Sequence, residues 1–198
     1  MSRELVVAHY QEDLNWLNDI IYDFPNLKIT IYHKDPVHTQ YIDKTNNYHL
    51  DNVGREAHTY LHHVITNYNT LSDFTIFCQG KPYDHISKET LYSYIMNCNL
   101  FEPSNQGIFH QPYIKFAQSG VPGVQCSGGN YGDWWRKIFG TNCTGGKQVW
   151  SAQFVVDKSL IASKPLEFYV NAIHTVDKDI NPEAAQFFER TWGSIFSL

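Results

Sequence analysis

"FTIFCQGKPYDH", Phe74–His85, decides how this chain is read. Its first four residues are β-branched or aromatic, the mark of a buried strand. It then runs into Gln79-Gly80, a proline and an Asp-His pair. Upstream, "ELVVAHY" (4–10) and "LKITIYHK" (27–34) read as two more buried strands. Between them, "QEDLNWLNDIIYDF" (11–24) puts Leu14, Leu17, Ile21 and Phe24 on one helical face. Glu12 and Asp13 would then sit in the favourable first turn. "NVGREAHTYLHHVITNY" (52–68) predicts a second helix, with Ala57, Leu61, Val64, Ile65 and Tyr68 inward and Asp51 or Asn52 as cap.

Strand, helix, strand, helix and strand in this order predict a mostly parallel sheet covered by helices. In such sheets ligands bind outside the carboxyl ends of the strands. The candidate loops are therefore "AHYQED", "YHKD", "DNVGRE" and "QGKPYDH". The same rule gives meaning to the polar tail of the opening stretch.

Downstream, "ISKETLYSYI" (86–95) is helical, and Asp84 is placed to cap it. Residues 118–146 are rich in glycine and read as a long loop carrying Asp133, Trp134 and Trp135. "KQVWSAQFVVDKSLI" (147–161) is a strand followed by a turn. "SKPLEFYVNAI" (163–173) is a helix with Pro165 near its start. "NPEAAQFFERTWGSIF" (181–196) closes the chain as one helix, with Ala184, Phe188, Trp192 and Ile195 inward.

The 198 residues suffice for one domain with a full core. The aromatic share of 15% suits both a core and a wet pocket for flat or sugar-like ligands. A net charge of −5 argues against a basic nucleic-acid-binding face. The four cysteines show no CxxC spacing, which speaks against a zinc site or a thioredoxin motif. No apolar run approaches membrane-spanning length. The start "MSRELVVAHY" reads as a strand rather than a signal peptide, which points to a cytoplasmic setting with reduced thiols.

Six blocks carry a resemblance: "VVAHYQEDLNWL" (6–17), "DNVGREAHTYLHHVI" (51–65), "FTIFCQGKPYDH" (74–85), "WSAQFVVDKSLI" (150–161), "PLEFY" (165–169) and "FERTWGSIF" (188–196). In this order the chain resembles a domain family of fungal, bacterial and large-DNA-virus proteins. The nearest understood relatives of that family look like GT-A glycosyltransferases, including the capsid-glycan transferase domain of chlorella viruses. The resemblance implies a half-Rossmann sheet over residues 1–198, with about 1–85 as nucleotide-binding half and about 86–198 as acceptor half. It implies transfer from a nucleotide sugar, expected to be UDP-linked, to a glycan hydroxyl, with Mn²⁺ or Mg²⁺. A viral member would act in host cytoplasm, as a module of a larger glycosylation protein.

The same resemblance assigns candidate roles. Ala8, His9, Tyr10, Lys34, Asn52, Arg55, Glu56, Gln79 and Gly80 would contact the donor. At positions 9 and 11 the family pattern has Arg and Asn, where this chain has His9 and Gln11. Asp84 and His85 stand where an Asp-x-Asp motif would hold the metal, whose charge would offset the leaving diphosphate. Glu189 or Glu183 would be the base for the acceptor hydroxyl. Asp133, Trp134 and Trp135 would form an acceptor platform, with His110 facing the site.

Plainer readings stand beside these. Arg55–Glu56 and Glu189–Arg190 would be ion pairs, and the two indoles would anchor a loop. His58 and His62, at i and i+4 with His63 following, lack the acid of an HExxH motif. A binding module that kept the fold without the chemistry is the rival to an enzyme. A metal-dependent hydrolase built on Asp84 and the histidines is a third reading.

Overall fold

The computed structural model describes residues 1–37, 39–98, 106–109, 111–115, 123–126, 129–149 and 152–196. Among the described residues seven strands follow one another: β1 (Arg3–His9), β2 (Lys28–His33), β3 (Asn46–His49), β4 (Phe74–Gln79), β5 (Gln106–Phe109), β6 (Gly146–Val149) and β7 (Phe154–Asp157). Eight α-helices are interleaved among the same described residues: α1 (Trp16–Asp23), α2 (Arg55–Asn67), α3 (Lys88–Asn97), α4 (Tyr131–Phe139), α5 (Lys158–Ala162), α6 (Leu166–Ile173), α7 (Glu183–Glu189) and α8 (Trp192–Ile195). Five strands form the main sheet in the order β3-β2-β1-β4-β7, and β5 pairs with β6 separately. All neighbours in the main sheet are parallel except β4 and β7. The fold is mixed α/β with a mostly parallel sheet, as the strand-helix alternation predicts.

The pleat sends alternate residues to opposite faces. Leu5 and Val7 of β1 pack with Ile29, Ile31, Ile76 and Cys78 against Leu17 and Ile20 of α1 and Leu91, Tyr94 and Ile95 of α3. Val6 points the other way, into a larger cluster with Phe77, Phe154 and the inner faces of α2, α4, α7 and α8. Both faces of the sheet are thus covered, which is why its strands read as near-continuous apolar runs. Each fully buried aromatic or aliphatic side chain contributes about 1.5–3 kcal/mol. The sheet order reverses between β1 and β4, since β2 lies on one side of β1 and β4 on the other. That reversal fixes where a ligand crevice opens.

Several local expectations are corrected. Helix α1 begins at Trp16, so Glu12 and Asp13 lie in the loop before it rather than in its first turn. Neither Asp51 nor Asn52 caps α2; its N-cap is Gly54, at φ 62°, without a side-chain cap. The region expected as a loop over 118–146 contains α4, closed by a capping box between Asn130 and Asp133. The strand expected over 147–161 spans undescribed residues 150–151; around them lie β6, β7 and α5. The closing helix breaks into α7 and α8 at Arg190 and Thr191. β3, short and mostly exposed, was not anticipated: "NNYH" carries no buried alternation.

Candidate functional site

A cleft of about 400 Å³ opens at the carboxyl edge of the sheet, over the reversal between β1 and β4. Its floor comes from Ala8, His9 and Tyr10 at the end of β1 and Gln79 at the end of β4. One wall is the start of α2, with Asn52, Arg55 and Glu56; Lys34, Glu12, Ile180 and Asn181 complete it. Among the residues expected to contact a donor, only Gly80 lies outside this lining. Gly80 stands next to Gln79, and its carbonyl accepts from Trp16 Nε1 at 2.9 Å, tying β4 to α1.

Lys34 is the dominant charge. It is 6% exposed, and its Nζ donates to the backbone carbonyls of Val53 and Arg55. Burial lowers its pKa from 10.5 to about 7, with Glu56 pulling it back upward. Its hydrogen-bond acceptors are neutral carbonyls rather than carboxylates, so in its protonated form the ammonium has no anionic hydrogen-bond partner and can attract an anion entering the cleft. Arg55 lies beside it, 44% exposed, with Nε 3.6 Å from the Glu56 carboxylate. Arg55 adopts φ 51°, next to Gly54 at φ 62°. A left-handed non-glycine residue stores strain, and such strain concentrates at ligand sites. Gly54 is required here: a Cβ would lie 2.3 Å from the Val176 carbonyl, and its N–H donates to Asp179 at 2.8 Å.

Glu12 is one of three cleft residues that the sequence reading does not single out. Its carboxylate accepts from the N–H groups of Tyr10 at 2.8 Å and Gln11 at 3.2 Å. A Cβ on Gly80 would approach Glu12 Oε2 to 2.6 Å, so the glycine leaves room for this acid. The signal for Glu12 was its place in the loop after β1; the apolar helical face extended too far back and claimed it for α1. Ile180 and Asn181 were also missed. Asn181 is pinned by two hydrogen bonds with Gln125, one backbone and one through the glutamine side chain. A pairing between loops so distant in sequence leaves no local mark.

The other candidates are placed elsewhere. Asp84 closes a 3₁₀ turn, Pro82–Asp84, and its carboxylate meets Lys81 Nζ at 3.0 Å with both side chains more than half exposed. Ser87, not Asp84, caps α3, accepting from Thr90 N. Neither Asp84 nor His85 lines the cleft, and no group of three or more His, Cys, Asp or Glu suited to a metal occurs among the described residues. Asp84 and His85 therefore do not fit the expected metal centre: Asp84 is paired to a lysine, and no third ligand joins them among the described residues. Glu183 is fully buried at the start of α7, and Glu189 is bound to Arg190 at 2.5 Å. Neither faces the cleft.

Trp134 and Trp135 are each 5% exposed, set in the aromatic core with Tyr131, Phe139, Phe187 and Phe188. They are no open platform. Trp134 and Asp133 do line a second cleft, of about 470 Å³, with Lys137, His174 and Lys178. Asp179 of that cleft immediately precedes Ile180 of the first. His63 packs under the sheet, its Nδ1 3.1 Å from the Tyr32 hydroxyl, and burial lowers its pKa to about 4. His58 is lowered likewise, to about 4, first by burial and then by Lys34. His110 lies outside the described residues. No helix among the described residues is long and apolar enough to cross a membrane.

A family model described as "Protein of unknown function (DUF3431)" matches residues 5–198. The chain belongs to that family. No curated protein and no solved structure matches it.

Proposed function

We propose that this chain is a GT-A-type glycosyltransferase that binds a nucleotide sugar, expected to be UDP-linked, in the carboxyl-edge cleft. Its sugar would pass to a glycan hydroxyl. One observation carries the reading: residues from four separate segments, singled out for donor contact, line a single cleft at the sheet reversal. Lys34, Arg55 and the uncapped start of α2 suit a diphosphate, because helix N-termini and guanidinium forks both favour anions. Tyr10, 42% exposed in the cleft lining just past β1, offers a ring for the base. Glu12 and Glu56 offer carboxylate acceptors for ribose or sugar hydroxyls.

Catalysis would rest on position and on fixed charge. Lys34 and Arg55 would stabilise the charge that grows on the leaving diphosphate, within a wall that need not reorganise. Glu56 is the carboxylate best placed to take the acceptor's proton, since Glu12 is committed to two backbone N–H groups and Glu183 and Glu189 lie away from the cleft. The second cleft, beyond Asp179, is the proposed acceptor surface. A divalent ion would supply Lewis-acid charge when bound, though the exposed pairing of Asp84 with Lys81 does not suit Asp84 and His85 to hold it.

A non-catalytic module that only binds nucleotide sugars is the second reading, favoured by the burial or pairing of the two glutamates first expected as bases. A panel of nucleotide sugars, with Mn²⁺ and with EDTA, scored for binding and for nucleotide release, separates the two. Release stimulated by a glycan acceptor is the expected result. Binding without release under every condition would favour the module. Absence of binding by any nucleotide sugar would overturn both.

A further inference from the structure

The parallel register of β1 and β2 sets His9 beside His33, and that of β2 and β3 sets His33 beside His49. His9 and His33 are buried, at 1% and 0% exposure, and their Nδ1 atoms approach to 2.9 Å. The outer nitrogens are also engaged. His9 Nε2 lies 2.9 Å from the backbone carbonyl of Glu12, which can only accept, so Nε2 carries a hydrogen. His33 Nε2 lies 2.8 Å from Asn47 Oδ1. That amide cannot be reversed, because its Nδ2 donates to the Thr45 carbonyl at 3.2 Å. His33 Nε2 therefore carries a hydrogen too. With both Nε2 positions protonated, two neutral rings would aim lone pairs at each other across 2.9 Å. One further proton, held between the Nδ1 atoms, turns that repulsion into a charge-assisted hydrogen bond.

We propose that His9 and His33 share one proton as an imidazole–imidazolium pair, and that this positive charge under the cleft makes its hold on a diphosphate depend on pH. The second half rests on the reading of the cleft as a nucleotide-sugar site. His9 lines the cleft, and His33 sits behind it. Glu12 bonds His9 through its backbone carbonyl, Lys34 follows His33 in the chain, and Tyr41 and His49 face His33 toward β3; Asp35 accepts from Gln11, and Arg55 and Glu56 lie across the cleft. The carboxylate of Glu12 favours the charge, whereas Lys34 and His49 oppose it. Burial pulls His33 below the usual imidazole range, while its bond to Asn47 works the other way. The charge is present at acid pH and lost as pH rises. Its loss breaks the Nδ1 contact or the bond to Glu12, and so loosens the loop that forms the cleft floor.

The test has two independent readouts. In ¹⁵N-labelled protein without ligand, a scalar coupling between the two Nδ1 nuclei, present at about pH 5 and fading by about pH 7, is expected. No coupling, or neutral shifts for both rings at about pH 5, would overturn the proposal. So would stoichiometric binding of added Zn²⁺ between the two rings. The second readout is affinity for UDP-glucose, whose diphosphate diester does not titrate in this range. It should fall about tenfold over that rise in pH. Lys34 acts in the same sense, so the pair's share is the part that His33→Asn removes. An unchanged pH profile in His33→Asn, with coupling present in the parent, would overturn the link to the cleft. Coupling without UDP-glucose binding at any pH would leave the pair standing and sink the reading of the site.

Discussion

The two ends of the same parallel strands treat buried charge differently. At the amino edge, Glu4 is 1% exposed and surrounded by partners: Thr30 Oγ1 at 2.7 Å, Lys28 Nζ at 3.0 Å and Ser72 Oγ at 3.4 Å. His63, whose Nε2 lies 3.9 Å away, is held neutral by burial and adds no ion pair at ordinary pH. At the carboxyl edge, Lys34 is nearly as buried, yet its hydrogen bonds go to carbonyls beside an open cleft. A closed set of partners satisfies a charge for the sake of the fold. A charge held by neutral dipoles at a cleft is left with field to spare for an anion.

Removing each charge should expose this contrast. Glu4→Ala strips two buried hydroxyls, those of Thr30 and Ser72, and the half-exposed ammonium of Lys28 of their acceptor. It should lower stability in urea by about 3 kcal/mol and leave UDP-glucose affinity unchanged. A loss of affinity without a loss of stability would erase the distinction between the two edges. Lys34→Met should do the reverse, weakening UDP-glucose about a hundredfold, or about 2.7 kcal/mol. Its effect on stability has a definite sign. The folded-state pKa is depressed from 10.5 to about 7. Below about 7 the amine is charged in both states, and the native state bears the full desolvation cost. Between about 7 and 10.5 the unfolded chain binds more protons, so the parent gains stability as pH rises through this window. Lys34→Met should abolish that gain and be more stable than the parent near neutral pH. A parent whose stability stays flat from pH 7 to pH 9 would show that the ammonium is well solvated.

A smaller effect sharpens the picture of the carboxyl edge itself. In Gly80→Ala the new methyl would meet Glu12 Oε2 and Cδ at 2.6 and 2.9 Å. The carboxylate must then leave the N–H groups of Tyr10 and Gln11. The expected cost is about 1–2 kcal/mol of stability, with a several-fold loss of UDP-glucose affinity. Glu12→Gln keeps the shape and weakens the acceptor. It should lose less stability than Gly80→Ala, and a larger loss would mean that charge rather than space governs the loop.

The sheet and the position of the cleft were legible in the sequence because both follow from strong local signals. Apolar runs in 4–10, 27–34 and 74–80 alternate with helical faces, and a parallel sheet dictates where its loops must converge. What could not be read depends on pairing across distance. His33 looked like one more residue of a buried strand; only the register with β1 sets it against His9. Asn181 reaches the cleft through Gln125, far away in the chain. Helix α4 is a different failure. Tyr131, Trp134, Trp135 and Ile138 follow helical spacing, and Asn130 with Asp133 gives a capping signature, but the surrounding glycines masked both.

Asp84 makes the smallest expected effect and the sharpest local comparison with Glu12. Both are acids just past a central strand, and the sequence favoured Asp84 because it follows β4 where a metal motif would stand. Yet the turn Pro82–Asp84 carries it outward to an exposed pairing with Lys81, whereas Glu12 folds back over the cleft. Exposed pairs of this kind contribute about 0–1 kcal/mol. Asp84→Ala should therefore change stability by less than about 0.5 kcal/mol and leave UDP-glucose affinity in EDTA untouched. The informative arm adds Mn²⁺. If Mn²⁺ strengthens donor binding in the parent and in Asp84→Ala alike, the ion is held elsewhere, and Glu12→Gln becomes the next variant to measure. If the strengthening vanishes only in Asp84→Ala, the Pro82–Asp84 turn must swing inward when donor and ion bind, and the outward pairing with Lys81 describes the empty cleft alone.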